Sequence, residues 1–112
     1  MSTAAERIAS EVTSWEGVTS APHRFNGVAF NLGRRELGHV HGDQLADLPF
    51  PRRVRDELIA AGQASEHHWM PDSGWVSRRI QTDEDVADVI ALFRLSYDRA
   101  AEAVDRRAGA RA

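Results

Sequence analysis

Near the start of the chain apolar residues recur three and four apart, at Ala5, Ile8, Ala9, Val12 and Trp15, which predicts a helix over residues 3–15. Thr3 and Glu6 have capping-box spacing at its start, and Gly17 ends it. The pattern then turns strand-like over Val18–Phe25, Val28–Leu32 and Arg35–His41, with Pro22 at an edge or bulge. Asn26-Gly27 and Gly33-Arg34 separate these segments as tight turns. Asn-Gly favours a two-residue hairpin because both central residues of a type I′ turn take positive φ. The three strands therefore read as an antiparallel meander. Two-residue loops pair Phe25 with Val28, His23 with Phe30, Phe30 with Leu37, and Val28 with His39. One face then carries Phe25, Val28, Phe30, Leu32 and Leu37 together with His23, His39 and His41. The other carries Arg24, Ala29, Asn31, Glu36, Gly38 and Val40, the more polar set, so the histidine face is the one expected beneath helices.

Residues Gly42 to Phe50 read as an irregular connection. Pro51 suits the first turn of a helix, where a missing N–H costs nothing, and Val54, Leu58 and Ala61 form its apolar stripe before Gly62. Ala64–Met70 and Trp75–Ile80 predict a hairpin around Pro71-Asp72-Ser73-Gly74. Thr82 caps a last helix whose first turn, Asp83-Glu84-Asp85, complements the helix dipole. Val86, Val89, Ile90, Phe93, Tyr97, Ala100 and Val104 line its apolar side, and residues from about 106 to 112 read as a frayed tail. The expected order is α-β-β-β-α-β-β-α. This is an α+β domain over residues 1–112, a three-strand meander plus a hairpin with helices on one sheet face.

Composition narrows the chemistry. The chain has no cysteine, which excludes disulfides, thiolate catalysis and cysteine-ligated zinc and fits a cytoplasmic protein. Its N-terminus lacks a secretory pattern, and no run of apolar residues is long enough to span a membrane. All 14 basic residues are arginine, so Schiff-base chemistry on a lysine is unavailable. A net charge of −3 gives no overall attraction to nucleic acid.

The histidines carry most of the candidate chemistry. His39 and His41, in Glu36-Leu37-Gly38-His39-Val40-His41-Gly42, lie two apart on a strand and share a face. His67 and His68 are adjacent, so on a strand only one of them can join the first pair. A small-molecule binding or catalytic pocket is expected from His23, His39, His41, His67, His68, Asp72 and Trp75, with Trp75 as a wall. Asp43, Asp47 or Asp72 could fix a histidine tautomer for acid–base work. Metal coordination by His23, His39 and His41, with Asp43 or Asp72 as the oxygen ligand, ranks below both a ligand site and simple core packing. Ser73 lacks a nucleophile elbow and reads as a turn residue. Core packing is the default for at least two of Trp15, Trp69 and Trp75. The sequence fixes neither a cofactor nor an oligomeric state.

Glu36-Leu37-Gly38-His39-Val40-His41-Gly42, Asp47-Leu48-Pro49-Phe50-Pro51, His67-His68 and Pro71-Asp72-Ser73-Gly74-Trp75-Val76 together resemble the small luciferase-domain family of bacteria and fungi, over about residues 20–100. A chain of this size cannot form the large barrel of the flavin-dependent luciferases. The resemblance therefore labels the domain without implying a reaction. Element order, Trp75-Val76 and Ser96-Tyr97 are more distantly similar to the MmcQ/YjbR family, often described as DNA-binding, with a frataxin-like α+β fold. That likeness would make Arg34, Arg35, Arg52, Arg53, Arg78 and Arg79 the nucleic-acid contacts. Here Asp72-Ser73-Gly74 stands where a basic residue is usual, and the expected partner is a small molecule rather than nucleic acid or membrane.

Overall fold

In the computed structural model, which describes residues 2–111, capping places the first helix where expected. Helix α1 spans Ala4–Val12; the Thr3 hydroxyl accepts from the Glu6 N–H and the Glu6 carboxylate accepts from the Thr3 N–H. It ends at Thr13, short of Trp15. Strands β1 (Val18–His23), β2 (Gly27–Leu32) and β3 (Arg35–His41) form the meander. The stretch expected as a loop forms β4, Leu45–Pro49, antiparallel to β3. Helix α2 (Arg52–Ala60) buries Val54 and Leu58, with Ala61 exposed as its C-cap. Strand β5 is only Ser65–Glu66; residues 67–70 leave the sheet, and β6 is Trp75–Arg79. Helix α3 runs from Asp83 to Arg111 and so takes in most of the stretch expected as a tail, while Ala112 lies outside the described residues. Alanine and arginine dominate that end and are strong helix formers. The sheet order is β1-β2-β3-β4-β6-β5, with every pairing antiparallel.

The registers differ from expectation, and the differences set the site. Phe25 and Asn26 have positive φ, 58° and 62°, so the β1–β2 loop is Arg24-Phe25-Asn26 and Gly27 belongs to a strand. A Cβ at Gly27 would lie 2.8 Å from the Val40 carbonyl oxygen, so glycine is needed there for close approach rather than for the turn. His23 consequently pairs with Gly27, Pro22 with Val28 and Ser20 with Phe30. In the second hairpin the two-residue register holds at Leu32/Arg35 and Asn31/Glu36, then shifts by one at a bulge. Leu37 is the extra residue: Phe30 pairs with Gly38, Ala29 with His39 and Val28 with Val40. A one-residue shift reverses every side chain beyond it.

Phe30, Leu37, Val40, Ala46, Leu48 and Val76 are therefore buried beneath α3, which crosses β2, β3, β4 and β6, while α1 packs alongside α3. Phe30 meets Phe93 edge to face at 5.4 Å between centroids. Ile8, Val12, Val86, Val89 and Leu92 join this cluster, with Val28 and Leu32 packed against it. The Ser96 hydroxyl donates to the Leu37 carbonyl at 2.8 Å, satisfying the bulged backbone from α3. Val104, expected on the buried side, is exposed because α3 has by then passed the core. His23, His39 and His41 lie on the opposite face, contrary to the sequence expectation.

Candidate functional site: a carboxylate ringed by histidines

Strand pairing aligns His39 of β3, Asp47 of β4 and Ser77 of β6 in one row across the sheet. Asp47 is wholly buried, and its carboxylate is the hub of the site. Its Oδ1 accepts from the Ser77 hydroxyl at 2.6 Å. Its Oδ2 meets Nε2 of His41 at 3.1 Å, of His39 and His68 at 3.2 Å, and of His67 at 3.5 Å. His23, the fifth histidine, stacks on His39 at 3.9 Å between ring centroids. Trp75 stands 5.3 Å from the His39 ring and forms a wall, as the sequence suggested.

These contacts assign different protonation states. His39 has an acceptor at each ring nitrogen, Asp47 at Nε2 and Glu36 Oε2 at 2.8 Å from Nδ1. Burial disfavours its charge, but the hydrogen bonds to the two carboxylates outweigh burial and raise its pKa to about 9. His39 is thus an imidazolium at neutral pH. Burial likewise opposes ionisation of Asp47, yet hydrogen bonds from His39, Ser77 and His68 hold its carboxyl well below the usual range. Burial lowers the pKa of His67, whose Nδ1 accepts the Trp69 and Met70 N–H groups at 3.1 and 3.2 Å. Neutral His67 therefore carries its proton on Nε2. Burial and the neighbouring His39 charge lower the pKa of His23.

His67 and His68 both reach Asp47 because they lie on a loop, where the alternation of a strand no longer applies. Arg52 and Arg55 of α2 hold the far side of that loop, donating to the Asp72 and Pro71 carbonyls. The Ser73 hydroxyl donates to the Met70 carbonyl and accepts from the Trp75 N–H, the turn role expected of it. Over the cluster opens a pocket of about 300 Å³ lined by His23, Arg24, Phe25, His39, His41, Asp47, His67, His68, Trp69, Met70 and Trp75. Its rim is apolar: Phe25 is 73% and Trp69 69% exposed, with ring centroids 6.3 Å apart. Trp69 is thus not a core residue, while Trp15 packs on Tyr97.

Six of the seven expected pocket residues converge; Asp72 does not line the pocket and contributes only its carbonyl to Arg52. Asp43 accepts from the Ala5 N–H, serving α1 instead. The sequence points to Asp47 only as one of three aspartates that could fix a histidine tautomer. The alternation Ala46, Leu48, Phe50 around it is the signal that would have shown a strand with one polar side chain facing the other way. The candidate arginines are dispersed. Arg34 lies in the β2–β3 turn and Arg35 opens β3, Arg52 and Arg53 open α2, and Arg78, next to Arg79 on β6, is engaged by Asp85 at 2.7 Å and Asp88 at 2.8 Å.

The profile of the family described as Luciferase domain matches residues 34–96, more than half of the chain, and the protein belongs to that family. The matched stretch contains every site residue named above from Arg34 onward; only His23, Arg24 and Phe25 precede it. No curated protein and no solved structure matches the chain, and nothing in these comparisons supports the MmcQ/YjbR likeness. Among the described residues no helix is long and apolar enough to cross a membrane.

Proposed function

We propose that the pocket over Asp47 binds a small molecule with an apolar, planar body and a polar end directed at the histidines. The observation that carries this reading is the combination, in one opening, of an exposed aromatic rim and a buried carboxylate ringed by imidazoles. Ligand sites commonly join mostly apolar walls to a few convergent polar groups, in volumes upward of about 300 Å³. Phe25 adds weight, because a bulky residue at positive φ is strained and such strain concentrates at functional sites. The floor holds both a charged and a neutral imidazole near neutral pH, a set suited to proton transfer if the ligand is a substrate.

Native mass spectrometry of protein purified without a histidine tag tests this reading. A noncovalent organic adduct in the wild type that is lost in Trp75→Ala, with the fold retained by circular dichroism, is the expected result. Ligand-free protein from every expression host, together with a fragment screen that shifts no Trp69 or Trp75 indole resonance, would overturn it.

A further inference from the structure

The hydrogen-bond arithmetic at Asp47 does not close with protons alone. A carboxylate oxygen offers about two lone pairs, yet Oδ2 faces four imidazole Nε2 atoms at 3.1–3.5 Å. His39 uses one of those lone pairs, since Glu36 holds its other nitrogen. His67 also presents an N–H, from the greatest distance of the four. That leaves His41 and His68. If their Nε2 atoms carry protons, four N–H groups crowd a single oxygen; if they carry lone pairs, two lone pairs face an anion. A cation between the three atoms removes the conflict.

We propose that His41 Nε2, His68 Nε2 and Asp47 Oδ2 bind one divalent transition-metal ion, with its remaining coordination positions open to the pocket. The three donor atoms lie within 4.8 Å of one another. Donors around a four-coordinate ion with bonds of about 2.0–2.2 Å stand roughly 3.3 Å apart, close to the 3.1 and 3.2 Å separating the two imidazole nitrogens from Oδ2. Two imidazoles and one carboxylate form a borderline donor set that suits zinc, cobalt, nickel or iron(II) rather than calcium or magnesium. The surroundings resemble a supporting shell: Ser77 and His39 anchor the carboxylate that would bridge to the ion, and Glu36 orients His39. The three ligands come from β3, β4 and the 67–70 loop, so the ion would tie that loop to the sheet. Only three protein ligands are supplied, which is the pattern of an open site rather than a closed structural one.

The test is titration of tag-free, chelator-treated protein with Zn²⁺ by calorimetry and with Co²⁺ by visible absorption. One ion per chain is expected, with d–d bands appearing in step. Affinity should fall at least tenfold in His68→Ala, whose side chain is the most open of the four that meet Asp47 and least needed for folding, and in His41→Ala. His23→Ala should bind like the wild type. The proposal is overturned if the wild type binds neither ion tighter than millimolar, or if His68→Ala matches it. It is also overturned if His23→Ala alone abolishes binding, since the overlapping set His23, His39 and His41 would then be the site. An organic ligand retained without metal would leave the small-molecule reading standing while removing this one.

Discussion

The two faces of the sheet are built from the same strands and solve opposite problems. On the helix side Phe30, Leu37, Val40, Leu48 and Val76 are removed from water against α3, the arrangement that stabilises α+β domains generally. On the other side the central row is His39, Asp47 and Ser77, and burying it gains little from hydrophobic transfer. Its charges are held by one another, and such groups cost several kcal/mol of desolvation before they attract. Four imidazoles around one buried carboxylate, with a fifth stacked on one of them, do more than fill space. The contrast is the reason the proposed site is placed on the face that hydrophobic burial does least to stabilise.

The contrast breaks first at Phe30. Phe30→Ala empties a fully buried site and removes the edge-to-face contact with Phe93, and should cost about 3–5 kcal/mol in denaturant unfolding. Asp47→Asn should cost less, about 1–3 kcal/mol, because it replaces an ionised acceptor with an amide whose NH₂ faces either the His39 N–H or the Ser77 hydroxyl. The same measurement compares the two. A larger loss at Asp47 than at Phe30 would mean that the histidine face, not the helix face, dominates folding.

Much of this was legible in the pattern of residues, and the failures share one cause. Helix positions followed from capping and periodicity at Thr3, Pro51 and Thr82, and the strand limits of β3 were as expected. Six of the seven residues grouped by their proximity to turns lie around one opening, and Asp72 does not. What failed was parity. One bulged residue, Leu37, and one glycine used for close approach, Gly27, each moved a register by an odd number of positions and carried His23, His39 and His41 to the far side of the sheet. Neither device has a composition signature, because each answers a contact distant in sequence: Val40 for Gly27, and Ser96 for Leu37. The hub of the site was missed for a related reason. Asp47 and Pro49 made 45–49 look like a loop, whereas the aspartate is tolerated in a central strand because His39 and Ser77 lie directly beside it.

The smallest expected effect belongs to the edge of the helix face, and it differs in kind from the site. Asp85 accepts from the Gln81 and Thr82 N–H groups at 2.8 and 3.1 Å and from Arg78 at 2.7 Å, closing the first turn of α3. The Gln81 backbone hydrogen bond first, and then Arg78, hold its pKa below the ordinary 3.8. A carboxyl whose folded pKa is depressed stabilises the fold above its unfolded pKa, and that contribution is lost as pH falls through the folded value. Asp85→Asn should therefore leave a small stability deficit that is constant from pH 7 to about pH 5 and shrinks only below about pH 4. Denaturant titrations of the two proteins across that range measure it. A deficit that instead changes between pH 5 and 7 would show that the start of α3 is coupled to histidine titration, and that the two faces of the sheet are not energetically separate.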